Sequence, residues 1–365
     1  MVVGFRYSFL WGVVCLIGAV GCTKVHFKDE EVAAFSLPPE VTPPPPPLAE
    51  EKLEIEDLVG KVDGQKIDIL WVIDNSPSML TSQQKVADNF GAFIQEFNSQ
   101  NYDFQMGVTT TDAFKVKFGA SSALSLLKKG GVAGDSGYPI LSPTTPNLNQ
   151  NFMTNILQGE SGDADERAFQ SMMATLDDGR NRSFLRSDAH LAVIIVSDED
   201  DLSHDEEYWT ENKYSPYLKD PTLHDPKTYS NQLIRLKGSA DKVSLHTIAI
   251  KDEDCRKSLG GGQRKVGKRY FELTKILKGT NVSLCSDFSR SLKFLSNYII
   301  RRTSIFRLAK KPKHIEKIEV TMRSALVPRS AKEGWDYSED NQSVQFFGEW
   351  APQNGEPIRI SYPVD

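Results

Sequence analysis

One stretch decides the fold of this 365-residue chain: Ile67-Asp68-Ile69-Leu70-Trp71-Val72-Ile73-Asp74-Asn75-Ser76-Pro77-Ser78-Met79. Its first seven residues are almost all β-branched, aliphatic or aromatic, a pattern that predicts a buried central strand. The strand ends at Asp74, and the hydroxyls of Ser76 and Ser78 follow within one tight loop. Open α/β sheets bind ligands at the carboxyl ends of their strands. Carboxylate and hydroxyl oxygens at that edge suit a hard divalent cation, namely Mg²⁺, Mn²⁺ or Ca²⁺.

A second apolar run ends in a similar way. Residues 191–196 have the sequence Leu-Ala-Val-Ile-Ile-Val, which is typical of a parallel strand buried on both faces. The residues that follow are Ser197, Asp198, Glu199, Asp200 and Asp201. Four successive carboxylates repel one another unless a cation or bulk solvent neutralises them. Two interpretations stay open for this segment, a metal-binding strand end and a solvated acidic turn.

The two strand ends resemble the metal-ion-dependent adhesion site (MIDAS) of the von Willebrand factor A (vWA) family. The pattern Asp-x-Ser-x-Ser from Asp74 to Ser78 matches the first strand end of that site, and Asp198 matches its distal carboxylate. The resemblance implies that Asp74, Ser76, Ser78 and Asp198 hold a divalent cation, with Mg²⁺ expected and Ca²⁺ or Mn²⁺ as alternatives. The other interpretation is a helix N-cap, because Asp and Ser favour that position.

The chain departs from the family pattern in residues 159–169. In the family this loop supplies a Thr to the metal, and the segment contains no Thr. Glu166 is the best positional match and is the fifth expected ligand, while Asp163, Asp165 and Asp200 are additional candidates. A carboxylate in place of a hydroxyl adds negative charge, and three consequences stay open: tighter cation binding, a preference for Ca²⁺, or a less electrophilic metal. Acidic N-capping of the helix that follows is the competing interpretation.

Helical and strand-like patterns alternate over residues 65–303. Apolar residues recur at helical spacing over residues 80–98 and again after Glu166, and residues 104–108 and 243–250 have strand patterns. This alternation predicts an α/β fold, a doubly wound and mostly parallel sheet of vWA or Rossmann type.

The pattern changes to β over residues 304–365. Short apolar runs at 305–308, 315–322, 343–347 and 358–362 are separated by Pro, Gly and Asn. They predict a small antiparallel β-module with an aromatic core, packed on the larger domain.

Residues 1–21 have the features of an export signal. Arg6 precedes an apolar run that closes with small residues before Cys22. The segment resembles a bacterial lipoprotein signal, which implies that Cys22 is acylated with fatty acids such as palmitate. Thr23 follows in place of an inner-membrane retention Asp, so the resemblance implies a lipid anchor in the outer membrane of the cell envelope. An uncleaved membrane anchor is the alternative, although the apolar run is shorter than the ~20 residues that a span needs.

A Pro-rich tether is predicted for residues 22–64. Residues 43–47 are five consecutive prolines, and the segment is poor in aromatic residues and acidic towards its end. Such a composition is typical of a semi-rigid spacer.

The remaining cysteines of the exported chain are Cys255 and Cys285. In an oxidising compartment two cysteines form a disulfide by default. A pair of thiolate metal ligands is the alternative, but no further Cys or His lies at short spacing from either residue.

Charge and motifs narrow the function. The formal net charge is −6 and no basic stripe occurs, so nucleic acid is not an expected partner. The sequence has no His-Glu-x-x-His pattern and no Gly-x-Ser-x-Gly elbow, and Gly260-Gly261-Gly262 lacks the spacing of a phosphate-binding loop. We therefore expect a binding protein and not an enzyme.

The expected function is adhesion from the cell envelope. A cation at the MIDAS-like site would engage an acidic group, a carboxylate, on a protein or cell-surface partner. Two alternatives remain: a structural lipoprotein whose metal only stabilises the fold, and a metal-dependent hydrolase, which would need a positioned base and an activated water.

Overall fold

The computed structural model describes residues 52–59, 66–99, 102–207, 222–303, 305–331, 333–339, 342–347, 350, 352 and 355–365. The predicted signal segment, Cys22 and the proline run lie outside these residues. Residues 50–365 form one compact unit. None of the helices within the described ranges is both long and apolar enough to cross a membrane.

The chain contains fourteen strands and seven α-helices in its described part. The strands are β1 (Lys52–Val59), β2 (Lys66–Ile73), β3 (Asp103–Thr110), β4 (Gly130–Gly131), β5 (Gly134–Asp135), β6 (His190–Ser197), β7 (Val243–Ala249), β8 (Asn281–Ser283), β9 (Ile305–Arg307), β10 (Glu319–Met322), β11 (Ala325–Leu326), β12 (Gly334–Ser338), β13 (Ser343–Phe347) and β14 (Pro357–Val364). The helices are α1 (Leu80–Ser99), α2 (Leu148–Ile156), α3 (Ala168–Leu176), α4 (Pro226–Lys237), α5 (Glu253–Ser258), α6 (Lys268–Ile276) and α7 (Phe288–Thr303).

A five-stranded parallel sheet organises the larger domain. Its strand order is β3-β2-β6-β7-β8, with β2 between β3 and β6. Ile73 pairs with Thr110 on one side and with Val196 on the other. Because these strands end in register, the residues that follow β2, β3 and β6 meet at one edge of the sheet. This sheet confirms the predicted α/β fold.

Helices cover both faces of the sheet, as a doubly wound fold requires. The odd-numbered residues of β2, such as Trp71, pack with α1, α2 and α7. Leu70 and Val72 point to the other face and pack with α3, α4 and α6. Every residue of β2 except Lys66 is buried, which explains its near-continuous apolar sequence.

The C-terminal module is built from two antiparallel sheets, with the orders β1-β14-β10-β11 and β12-β13-β9. Both sheets contribute to one core, in which Trp335 and Phe346 lie close to Ile360 and Tyr362. The predicted small antiparallel module is therefore present. It also includes β12, which the sequence pattern did not indicate as a strand.

Strand β1 corrects the extent of the tether. Residues 52–59 fall within the segment that the sequence assigns to a spacer, yet they pair along their whole length with β14. The chain thus enters the module first, passes through the α/β domain, and returns to the module at β9. The α/β domain is an insertion between the first two strands of the module.

The predicted disulfide is present between Cys255 and Cys285. It connects α5 to the residues that follow β8. Closing a loop of 30 residues stabilises a fold by roughly 3–4 kcal/mol in the chain-entropy treatment.

Candidate metal centre

Three segments meet at the carboxyl edge of the sheet. The loop after β2 is fixed to β6 by a hydrogen bond from the Asp74 amide to the Val196 carbonyl, 3.0 Å. The loop before α3 approaches from the other side, where the Gly162 amide donates to the Asn75 carbonyl at 2.7 Å. A Cβ on Gly162 would lie 2.6 Å from that carbonyl oxygen, so only glycine allows this approach. The segments that carry Asp74, Asp198 and Glu166 are thereby brought together.

Gln83 fixes two of these segments relative to each other. Its side-chain amide donates to the carbonyls of Asp74, at 3.0 Å, and Gly159, at 2.9 Å. Its side-chain oxygen accepts the Gly159 amide at 3.0 Å. One buried side chain on α1 therefore sets the separation of the Asp74 loop from the loop that carries Glu166.

Asp74 lies at the centre of the site and is fully buried. One carboxylate oxygen accepts the Ser76 amide at 2.8 Å, and the other accepts the Ser197 hydroxyl at 2.7 Å. Both donors are neutral. Burial, and then the negative charge of Asp198, raise the pKa of Asp74 to about 6.

Asp198 connects the second strand end to the serine loop. The Ser78 hydroxyl donates to one of its oxygens at 2.9 Å, and the hydroxyls of Ser76 and Ser78 lie 3.4 Å apart. The other oxygen is 2.8 Å from Nε of Arg264. Burial raises the pKa of Asp198, while Ser78 and Arg264 oppose this shift.

Glu166 is the most informative side chain of the site. It is fully buried, and in the described part of the chain neither carboxylate oxygen has a hydrogen-bond partner. Burial, followed by the charges of Asp74, Glu199 and Asp198, raises the pKa of Glu166 well above its ordinary value. A buried carboxylate without donors is costly unless it is protonated or bound to a cation.

Glu199 belongs to the same cluster, and the sequence analysis did not select it. Burial and the charges of Asp74 and Asp198 raise its pKa to about 8. Lys265 and Arg264 act in the opposite direction. Its position beside Asp198 in the acidic run was the only signal for it, and that signal did not separate it from Asp200 and Asp201.

The donor set fits a hard divalent cation. Across the described ranges, no three His, Cys, Asp or Glu side chains are placed to hold a metal by themselves. A site at this edge therefore needs the hydroxyls of Ser76 and Ser78 in addition to carboxylates. Oxygen-only donors of this kind suit Mg²⁺ or Ca²⁺. The two oxygens of Glu166 have no hydrogen-bond partner among the described residues and are therefore available as ligands.

The three additional candidates have other partners. Asp163 is half-exposed and forms an ion pair with Lys115 at 3.1 Å. Asp165 is buried against Arg167, whose Nε donates to it at 3.0 Å. Each carboxylate therefore has a nearby cationic side chain, which neutralises its charge, although Oδ1 of Asp165 has no hydrogen-bond partner among the described residues.

Asp200 is turned away from the cluster and caps a helix. Its carboxylate accepts the amide of Arg269, in the first turn of α6, at 3.0 Å and the amide of Asp201 at 3.0 Å. Burial raises its pKa to about 7. The structure therefore does not bring Asp163, Asp165 or Asp200 to the predicted site.

Comparison with known proteins gives only distant similarity. No protein-family profile and no curated protein matches the chain. Among solved structures, it is similar to proximal thread matrix protein 1 from the mussel byssus, with 12% identity over 66% of this chain and 49% of that chain and a TM-score of 0.37. A structure of that mussel protein with a zinc-occupied MIDAS motif matches with 13% identity over 70% and 52% of the two chains and a TM-score of 0.38.

A second protein is similar at the same level. The pilus adhesin SpaC from Lactobacillus rhamnosus GG, in its open conformation, matches with 14% identity over 85% of this chain and 40% of that chain, and a TM-score of 0.40. The chain spans about half the length of the solved chains that it matches.

Proposed function

We propose that the chain is a cation-dependent binding protein of the vWA type. In this proposal Asp74, Ser76, Ser78, Glu166 and Asp198 hold one divalent cation, which engages an acidic group of a partner. The observation that carries it is the buried Glu166 carboxylate, which has no hydrogen-bond donor and lies beside two other buried acids. A divalent cation at that place would offset the repulsion among all three.

The donor chemistry supports Mg²⁺ or Ca²⁺. The vWA resemblance implies Mg²⁺, whereas Glu166 in place of a hydroxyl favours Ca²⁺, because Ca²⁺ accepts more oxygen ligands in a looser geometry. When bound, the cation would supply Lewis acidity towards a partner carboxylate. The chain's own residues orient the site: Gln83 fixes the two loops, and Ser197 holds the Asp74 carboxylate.

The proposal places the protein in the cell envelope. Acylation at Cys22 would attach it to the outer membrane, and the partner would be a protein or surface that presents a carboxylate. Binding is proposed in preference to catalysis. A structural lipoprotein, in which the cation only stabilises the fold, is the competing proposal.

Calorimetric titration tests the metal site. Mg²⁺, Ca²⁺ and Mn²⁺ would be titrated into a protein that lacks residues 1–21 and carries Cys22→Ser, which leaves the compact unit of residues 50–365 intact. We expect saturable binding that is lost in Asp74→Asn and kept in Asp163→Asn, a matched change at an acid outside the cluster. No binding by the folded wild type, or equal binding by Asp74→Asn, would contradict the proposal.

Partner binding separates adhesion from a structural role. The same variants would be compared for cation-dependent binding to envelope or host surfaces treated with a carboxylate-blocking carbodiimide. Adhesion predicts that binding requires both the cation and the carboxylates, and that Asp74→Asn removes it while the fold is kept. If the cation changes only the thermal unfolding temperature, the structural proposal is favoured.

A further inference from the structure

A glycine-rich loop brings two basic residues to the acidic cluster. Residues Gly260, Gly261 and Gly262 all have positive φ, at 98°, 64° and 63°, and they turn the chain between α5 and α6. The Lys265 amide then donates to the Asp198 carbonyl at 3.0 Å, which ties this loop to the end of β6. The loop is therefore held against the metal centre by its backbone.

Arg264 forms the closest charged contact of the cluster. Its Nε is 2.8 Å from a carboxylate oxygen of Asp198, and its side chain is only 25% exposed. The second oxygen of Asp198 remains bonded to the Ser78 hydroxyl. The ion pair therefore leaves the Ser78 lone pairs and the other carboxylates open to a cation, so that Arg264 and a metal can be present together.

The side chains of the centre carry more negative than positive charge. Asp74, Glu166, Asp198 and Glu199 carry four negative charges when ionised, while Arg264 and Lys265 return two positive charges. Two negative charges remain, which equals the charge of one divalent cation. The vWA pattern does not include Glu166 and Glu199. Without the basic loop, these two acids would leave the centre with more negative charge than one divalent ion can balance.

We propose that Arg264 is a fixed counter-charge that restricts this centre to divalent cations. The inference rests on the proposed function, because it concerns the same cation. Arg264 is not a ligand. Its positive charge, held beside Asp198, sets which ion charge the centre prefers. Lys265 adds a second positive charge from the same loop, which acts on Glu199.

Ions of different charge distinguish a counter-charge at Arg264 from a purely structural role. The Coulomb energy between a fixed charge and a bound ion is proportional to the charge of the ion. Replacing Arg264 by a neutral residue should therefore tighten a trivalent ion more than a divalent one. If Arg264→Gln strengthens Ca²⁺ binding about tenfold, the same loss of charge should strengthen Tb³⁺ binding about thirtyfold.

Titration of two ions into the wild type and four variants tests this inference. Ca²⁺ would be followed by calorimetry, and Tb³⁺ by its sensitised luminescence, in the protein that lacks residues 1–21 and carries Cys22→Ser. The variants are Arg264→Gln, Arg264→Lys and Lys265→Gln, with Arg359→Gln as the control that removes an exposed positive charge on β14, where Arg359 pairs with Asp57. Circular dichroism would confirm that each variant is folded.

The expected pattern is specific. Arg264→Gln tightens both ions, Tb³⁺ more than Ca²⁺, and Lys265→Gln does so to a smaller extent. Arg264→Lys keeps the charge and the wild-type ratio of affinities. Arg359→Gln changes neither affinity beyond about twofold, because its side chain is exposed and solvent screens its charge. If Arg264→Gln does not fold, Lys265→Gln alone decides between tighter and unchanged binding.

Three outcomes would overturn the inference. Equal gains for both ions, unchanged affinities, or weaker Ca²⁺ binding in Arg264→Gln would mean that Arg264 positions Asp198 without setting the charge. In each of these cases the wild type still binds Ca²⁺, so the proposed function stands. A wild type that binds neither ion contradicts both the inference and the proposed function.

Discussion

Strand β2 buries one carboxylate near each of its ends, Asp68 at the amino edge of the sheet and Asp74 at the carboxyl edge. Asp68 accepts the Arg186 amide and the Arg186 Nε, both at 2.7 Å, and Lys237 lies 4.0 Å away. Asp74 accepts only neutral donors and faces other acids. The negative charge of Asp68 is thus balanced by neighbouring cationic side chains, whereas that of Asp74 is not.

The difference shows how a structural carboxylate can be told from a site carboxylate. Both residues have a raised pKa because of burial, so burial alone does not distinguish them. What distinguishes them is the sign of the neighbouring charges: Arg186 stabilises the ionised form of Asp68, whereas Asp198 destabilises that of Asp74. A buried acid whose neighbours are also acids needs either a proton or a cation from outside.

The largest effect is expected at the amino edge of the sheet. Asp68→Ala removes the buried acid beside Arg186 and Lys237, and Arg186 keeps only its more exposed ion pair with Asp103. Removing one partner of a buried pair costs about 3–5 kcal/mol. Urea unfolding in chelator would measure the loss. Asp57→Ala is the control, because its ion pair with Arg359 is exposed and should contribute little. A loss below about 1 kcal/mol for Asp68→Ala would contradict this view of the amino edge.

The next effect is a dependence of stability on pH in the absence of metal. Acids with a raised pKa bind more protons in the folded state. The free energy of unfolding therefore falls as pH rises from 3.8 to about 6 for Asp74 and from 4.5 to about 8 for Glu199, and is level above each window. For Asp74, the rise from 3.8 to about 6 corresponds to about 3 kcal/mol.

Metal should remove most of this fall. Thermal unfolding between pH 4.5 and 8.5 would be compared with and without Ca²⁺, over roughly the window that these pKa values define. With Ca²⁺ a smaller dependence of the unfolding temperature on pH should remain. Asp200, whose pKa is about 7, lies outside the cluster and still titrates. Identical slopes with and without Ca²⁺ would show that the acids are neutralised without a cation.

Removing the carboxylate charge at the two ends of β2 should change the free energy of unfolding in opposite directions. In chelator at pH 8, Asp74→Asn relieves repulsion and should raise the free energy of unfolding by about 1–2 kcal/mol. Asp68→Asn weakens a paired network and should lower it. The measurement is urea unfolding of the two isosteric variants. Changes of the same sign would mean that the contrast between the two ends is not electrostatic.

The smallest expected effect concerns which ion is preferred. Glu166→Thr restores the hydroxyl that the vWA pattern has in this loop. It should weaken Ca²⁺ more than Mg²⁺, changing the ratio of the two affinities about tenfold, because Ca²⁺ depends more on additional carboxylate oxygens. Calorimetry would measure both ions, with Glu160→Gln as the control, since Glu160 is exposed in the same loop.

The sequence predicted those parts that are local. Residues 67–73 and 191–196 are buried on both faces, so their composition is apolar throughout and gives the parallel sheet directly. The Asp74 to Ser78 loop is also short enough that its spacing fixes its geometry. Strands that depend on a distant partner were harder. The acidic, alternating sequence of β1 indicates a strand only once β14, about 300 residues away in the chain, supplies its hydrogen bonds.

The acidic run after β6 shows the limit of pattern reasoning at the site. Its four acids look equivalent in sequence, but Asp198 and Glu199 face the cluster, while Asp200 caps α6 and Asp201 accepts the Phe169 amide at the start of α3. Irregular backbone decides which side chain points where, and periodicity does not describe it. Arg264 was missed because it reaches the site from a separate loop.

The pairing of β1 with β14 also has a mechanical consequence. Lys52 lies opposite Val364, and all eight residues of β1 are paired. A pull along β1 from the chain ahead of Lys52 would load this whole ladder in shear, so its bonds share the force and do not open one at a time. The backbone then continues through residues 60–65 into β2. Under the proposed attachment at Cys22, a pull on the chain would therefore load the ladder between β1 and β14 before it reaches β2.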